Sequence, residues 1–253
     1  MPADTRNYAP IPQQYWEEMD AAYQAPVRAR AVGHQISSAF GPFGEGKELY
    51  TYRKYVDVSA ATIAMNLGAG NRDMIKPSES SVPVPYVHAE WYLSRRQVLA
   101  LQNGGEPFQR SIIESSGYQL AQQEDTLVLQ GWKADGTNYL VKGFYQAAGN
   151  TEGTTNDYGT NGKAVTEYGL VLDVMATDNI FPPFNHILNP TQWAQLQASF
   201  YSTAAVREFD VLRAFIGGEV FMTAALTAGT ALYITTPGTG YHAIAVGANP
   251  SNI

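Results

Sequence analysis

The chain has 253 residues, of which only 15% are charged, whereas 16 are Tyr and 10 are Phe. An ordinary soluble domain has about 25% charged residues, and protein interfaces are poor in charge and rich in aromatic side chains, so composition favours obligate assembly over a large monomer with a Tyr-rich surface. The net charge of −7 argues against a protein that coats nucleic acid, and the absence of Cys excludes disulfides, thiolate metal sites and Cys nucleophiles.

The first predicted element is an amphipathic helix that begins at Ile11-Pro12 and is interrupted by Pro26. Its apolar face includes Trp16, Met19 and Tyr23. Such a face can close an ordinary core or lie along a larger wall. The start of the chain has no apolar signal-peptide core, and no run of about 18 apolar residues occurs, so we expect assembly in a cytoplasm.

A strand pair is predicted next. Alternation between Leu49 and Leu67 indicates the first strand, GAGNRD supplies turn residues, and SVPVPYVHAEWYL indicates the returning strand. Its two prolines cannot donate to a ladder, so the returning strand is expected at an edge. An edge this long promotes aggregation unless another subunit covers it.

A helix of about 24 residues is predicted from Glu106-Pro107 to Gly131, because proline suits a first helical turn and glycine suits the end. Gly117 in its middle costs about 1 kcal/mol relative to Ala, which is tolerable if another element packs closely there. The apolar stripe is expected to contain Phe108, Ile112, Leu120, Ala121 and Leu127.

In the second half, residues 149–162 are predicted to form a loop. Asn189-Pro190 indicates a capped helix, and a second helix is expected to end at Gly217-Gly218. The expected apolar faces are Trp193, Leu196 and Phe200 on the first, and Val206, Phe209, Leu212 and Ile216 on the second. Short strands are predicted at 220–222, 231–235 and 242–246.

Several of these segments together resemble the Hong Kong 97-like fold of tailed-phage capsids, and most of all its encapsulin-like branch. They are the hairpin and long helix from TYRKY to LVLQG, the amino-terminal APIPQQYWEEMDAAYQAPVRARAVGHQI with GPFGEG, and NHILNPTQWAQLQASF with FDVLRAFIGGEVFMTAALTAGTALYIT. The resemblance extends from about residue 8 to about 247. Residues 132–180 depart from it, and the end, NPSNI, lacks the strand-forming tail typical of cargo-carrying encapsulins, which favours a virus capsid.

The resemblance implies an α+β fold with four parts. They are an N-terminal arm and helix (1–45), an extended loop (46–94), a peripheral domain with a spine helix (95–148) and a mainly axial domain with returning strands (149–253). Trp16, Met19 and Tyr23 are then expected on the inner wall. Intersubunit contacts are expected from Tyr50, Tyr52, Tyr55, Arg72, Asp73, Arg95 and Arg96. For Arg95-Arg96, an ion pair with a neighbouring subunit and solvated charge are equally good explanations.

Catalytic chemistry is not predicted. The four histidines, His34, His88, His186 and His242, lack metal-binding spacings, and GAGNRD lacks the third glycine of a dinucleotide loop. Glu124-Asp125 are neighbours on a helix, so their side chains point about 100° apart, which favours salt bridging over paired acid–base work. We therefore expect no catalytic residue, no cofactor and no metal.

The leading hypothesis is a virus major capsid protein that assembles into an icosahedral shell around a genome. The alternative is an encapsulin nanocompartment shell that packages a cargo enzyme, and a third is a soluble enzyme of another type. The expected partners are many copies of the chain, with scaffold, portal or minor capsid proteins and nucleic acid enclosed without sequence-specific binding. No membrane is expected, and the protein is expected in a virion assembled in the host cytoplasm.

Overall fold

The computed structural model describes residues 31–40, 48–55, 77–90, 94–102, 110–149, 157–201, 206–237 and 243–245. Helices and strands are mixed along these ranges, so the predicted α+β class is confirmed. The helices are α1 (Val32–Ile36), α2 (Arg95–Gln102), α3 (Arg110–Gln130), α4 (Phe144–Ala147), α5 (Lys163–Thr177), α6 (Pro190–Ala198) and α7 (Glu208–Ile216). The strands are β1 (Ser38–Phe40), β2 (Leu49–Tyr55), β3 (Pro77–Pro83), β4 (Gly131–Trp132), β5 (Val141–Lys142), β6 (Phe184–Leu188), β7 (Gly217–Met222), β8 (Ala231–Thr235) and β9 (Ala243–Ala245).

A three-stranded sheet with β6 in its middle forms the largest packed part of the described chain. Its order is β7-β6-β8, with β7 parallel and β8 antiparallel to β6. All five β6 residues are buried, as expected for a strand covered on both faces. Because side chains alternate along a strand, Phe184 and Leu188 join one apolar core with α5, α6 and α7, whereas Ile187 joins a second core with α1 and the end of α3.

The predicted long helix is α3, which has 21 described residues. Its predicted start at Glu106-Pro107, with Phe108, lies outside the described residues. It ends where expected, because Gly131 has a φ of +82° that a residue with a Cβ rarely adopts. The predicted stripe is partly wrong. Leu120 and Ala121 are buried, but Ile112 is 39% exposed and its neighbour Ile113 is buried instead.

The two helices after β6 follow their predicted signals. Asn189 accepts the backbone N–H of Thr191 at 2.9 Å and precedes the first-turn Pro190 of α6. Gly217, with a φ of +69°, ends α7. The predicted faces are too long, since Phe200 and Val206 lie outside both helices and are 44% and 47% exposed.

Other elements differ from the sequence prediction. The returning strand was predicted over residues 81–93, but β3 begins at Pro77 and ends at Pro83, and the next proline, Pro85, lacks the N–H group that a ladder needs. Residues 91–93 lie outside the described residues. The helices α2, α4 and α5 and the strands β1, β4 and β5 were not predicted. The strands β7, β8 and β9 are confirmed, and β9 pairs in parallel with β1. Of the helices in the described ranges, none has both the length and the apolarity needed to cross a bilayer.

Candidate functional site

The hairpin formed by β2 and β3 is the clearest candidate for a surface that another subunit covers. The strands pair antiparallel from Leu49 opposite Pro83 to Tyr55 opposite Pro77, and they form a sheet of two strands. No described side chain in either strand is buried, and each strand packs mainly on the other within the described chain. A two-stranded hairpin by itself is only marginally stable in water, so a further surface packed on this hairpin would stabilise it.

The two faces of the hairpin differ in chemistry. The rings of Tyr50 and Tyr52 stack on one face, with centroids 6.1 Å apart and planes inclined by 14°. On the other face, Arg53 Nε lies 3.4 Å from Glu79 Oε1, and both side chains are more than 60% exposed. An exposed pair of this kind contributes at most about 1 kcal/mol. The aromatic face is therefore the one that gains most from being covered.

Arg95 and Arg96 lie in the first turn of α2, and both are exposed. The start of this helix is fixed by a capping box, in which the Ser94 N–H donates to Gln97 Oε1 at 2.8 Å and the Gln97 N–H donates to Ser94 Oγ at 3.4 Å. The two arginines are thus presented to the surface by a defined helix start. Their contact with a neighbouring subunit stays a prediction.

The remaining predicted contact residues cannot be placed from the described chain. Tyr55 is in the β2 ladder opposite Pro77, but its side chain lies outside the described residues. The other predicted residues outside them are Arg72, Asp73, Trp16, Met19 and Tyr23. Their roles at the loop tip and on the inner wall therefore stay predictions.

A buried polar cluster, which the sequence did not predict, lies between α5 and the central sheet. Tyr158 donates its hydroxyl hydrogen to Glu167 Oε1 at 2.8 Å, and His186 Nε2 lies 3.4 Å from the same hydroxyl oxygen. The His186 ring stacks on Tyr233, with centroids 4.1 Å apart and planes 7° apart. Tyr158, Glu167 and His186 are all buried.

Burial determines the charge states of His186, Tyr158 and Tyr233 in this cluster. It lowers the pKa of His186 to about 3, so the imidazole is neutral near pH 7. Burial also raises the pKa values of the Tyr158 and Tyr233 hydroxyls above their ordinary range. The arrangement acts as a hydrogen-bonded support inside the core. Within the ranges that the structure describes, no three His, Asp or Glu side chains are grouped to hold a metal ion.

Comparison with a solved structure identifies the fold. The chain matches the crystal structure of a virus-like particle from Pyrococcus furiosus with a TM-score of 0.64 and 15% sequence identity, over 88% of this chain and 80% of that chain. The two share the fold of shell subunits, so the predicted Hong Kong 97-like fold is confirmed.

Residues 1–251 match the family described as "Encapsulating protein for peroxidase", and the chain belongs to that family. A type 1 encapsulin shell protein of Myxococcus xanthus, EncA, is 21% identical over 228 residues, which are 90% of this chain and 77% of that protein. A type 1 encapsulin shell protein of Brevibacterium linens is 22% identical over 236 residues, which are 93% of this chain and 82% of that protein. These relatives support the encapsulin alternative better than the virus capsid that the sequence placed first.

Proposed function

We propose that many copies of this chain assemble into a closed shell of the encapsulin type, which encloses an enzyme as cargo. The observation that carries this proposal is the match to a family of encapsulating proteins over residues 1–251. The low charge and high aromatic content support it, because a subunit whose surface is largely covered by neighbours has that composition.

Assembly is the proposed mechanism. The β2–β3 hairpin of one copy lies over a neighbouring copy, with the stacked Tyr50 and Tyr52 face turned towards it. Arg95 and Arg96 then pair with acidic groups of a neighbour. Each contact is weak by itself, and closure of a symmetric shell makes the contacts act together.

The proposed division of the chain follows the same scheme. Residues 1–45 form the arm and inner-wall helix, 46–94 the extended loop, 95–148 the peripheral domain, and 149–253 mainly the axial domain. Trp16, Met19 and Tyr23 are the proposed inner-wall residues, where a short peptide of the cargo would bind. The family description makes a peroxidase the first cargo to seek. We place assembly in the cytoplasm.

The contents of particles from the native source test the proposal. We expect light scattering and electron microscopy to show closed hollow particles, and mass spectrometry to find one abundant enzyme inside them. A packaged genome with scaffold, portal or minor capsid proteins would instead support the virus capsid. A chain that stayed monomeric or dimeric at every concentration and salt level would exclude both kinds of shell.

A further inference from the structure

The short helix α1 is held against the spine helix α3 at very close range. A Cβ placed on Gly33 would lie 3.2 Å from the side-chain carbons of Val128, so glycine permits the approach. Val32 and Ile36 are buried beside Leu129 in the second apolar core. Apolar packing therefore fixes one side of α1.

Asp125 of α3 holds the start of α1. Ala31 precedes the helix and makes no side-chain cap, but Asp125 Oδ1 accepts the N–H of Gly33 at 2.8 Å, although 92 residues separate the two. The Val32 N–H also hydrogen-bonds to this carboxylate, and Asp125 Oδ2 lies 3.5 Å from the Thr223 hydroxyl. One carboxylate, only 5% exposed, thus joins α1, α3 and the segment after β7.

Glu124, the neighbouring residue of α3, holds the outer side of α1. Its Oε2 lies 3.4 Å from His34 Nε2, and the exposed fractions of the two side chains are 22% and 43%. This contact is an ion pair only while His34 carries a proton. The charges that act on His34 are those of Glu124 and Asp125, and the charge that acts on Asp125 is that of Glu124.

We infer that His34, Glu124 and Asp125, here termed the junction cluster, form a proton-dependent contact that holds residues 31–37 on the spine helix α3. This contact weakens as the pH rises. The geometry that carries this inference is a half-exposed ion pair beside a buried carboxylate that accepts backbone N–H groups from the same helix. The junction cluster thus fixes the position of residues 31–37 on α3.

Two titratable groups of the junction cluster, His34 and Asp125, act in the same direction. The hydrogen bond with Glu124, aided by the charges of Glu124 and Asp125, raises the pKa of His34 above 6.5 even though burial opposes it. The stabilisation is therefore complete below pH 6.5 and is lost as the pH rises through the folded-state value. Burial raises the pKa of Asp125 above 3.8, so ionisation of this group also weakens the closed junction as the pH rises.

Hydrogen exchange on the assembled, full-length protein tests this inference. Protection of the amides of residues 32–36, corrected for intrinsic exchange rates, is compared at about pH 5.5 and about pH 8, a window that spans His titration. We expect protection to fall about two- to fivefold at the higher pH, the range that a partly exposed ion pair provides. The variants His34→Asn and Glu124→Gln should reduce this pH dependence, whereas His88→Asn, which changes an exposed histidine elsewhere, should retain it in full.

Unchanged protection in the wild type across this window, or an unaltered pH dependence in His34→Asn, would overturn the inference. If His34→Asn does not fold, Glu124→Gln tests the same contact from the other side. Particle size is measured on the same samples, so loss of the shell is recorded separately from loosening of the junction.

Discussion

Glu208 accepts the backbone N–H of Gly162 at 3.0 Å, although 46 residues separate them. Its other carboxylate oxygen accepts the N–H of Val165, also at 3.0 Å. Gly162 lies at the start of α5 and has no side chain with which to cap it, so a buried carboxylate from the first turn of α7 satisfies these donors. The position of α5 therefore depends on α7.

The Glu208→Gln variant tests this dependence. In this variant, one carboxylate oxygen becomes an NH₂ group that faces a backbone N–H, so one buried hydrogen bond is lost. We therefore expect the free energy of unfolding to fall by about 1–3 kcal/mol. Urea unfolding at constant protein concentration measures the change. The matched control is Asp210→Asn in the same helical turn, an exposed position where we expect less than about 0.5 kcal/mol. Equal stabilities for the two variants would contradict the proposed cap.

Because His186 is buried, we predict that the folded protein loses stability in acid. Its folded-state pKa is about 3 and its ordinary value is 6.5, so the unfolded chain binds the proton more readily. Stability should therefore fall as the pH decreases from 6.5 towards 3, by about 1.4 kcal/mol per pH unit in the middle of that window. This direction is opposite to that of the junction cluster.

The His186→Phe variant isolates this contribution, because Phe can keep the stacking on Tyr233 but cannot titrate. Unfolding free energies at about pH 7 and about pH 5 should differ less in this variant than in the wild type. His88→Phe, at an exposed site, serves as the control. If His186→Phe retained the whole acid-induced loss of stability, that loss would not come from His186.

Local chemistry explains why some elements were predictable. The start of α6 needs only Asn189 and Pro190, and the end of α7 needs only Gly217, since these signals act within one turn of the helix. By contrast, α5 begins at Lys163, directly after Gly162, and is capped by the distant Glu208, so its sequence carries no start signal of its own. The buried cluster around His186 was unpredictable for the same reason, because only the tertiary fold brings Tyr158, Glu167 and His186 together.

The candidate assembly surface was predictable in part. Alternation identified β2, but most of β3 is the polar run Ser78–Glu79–Ser80–Ser81, which resembles a turn because no face of it is buried within one chain. A strand that is polar on both faces gives a weak signal in a single sequence and specifies its register weakly. The pattern therefore predicted a hairpin but placed the returning strand later in the chain than the observed β3.

The stacked face of the hairpin should control assembly and not folding. We expect Tyr50→Ser combined with Tyr52→Ser to leave the circular dichroism spectrum unchanged, because these side chains are only half buried in one subunit. Each lost contact of about 1.4 kcal/mol weakens association about tenfold, so light scattering should show few or no closed particles. Tyr86→Ser, which changes a side chain that is 70% exposed outside the hairpin, is the control. Normal particles from the double variant would exclude this face as an essential contact.

The spine helix offers a test of folding that is separate from assembly, because Leu120 and Ile112 were predicted on one stripe and the structure separates them. Leu120 is 5% exposed and packs with Ala121 and Val87, so Leu120→Asp places a carboxylate in an apolar site without a partner. We expect this change to cost several kcal/mol and to abolish cooperative unfolding. Ile112→Asp, at a position 39% exposed, should retain a cooperative transition, since the charge can reach water. Circular dichroism during urea titration distinguishes the two variants, and a Leu120→Asp protein as stable as Ile112→Asp would show that this turn of α3 does not pack as described.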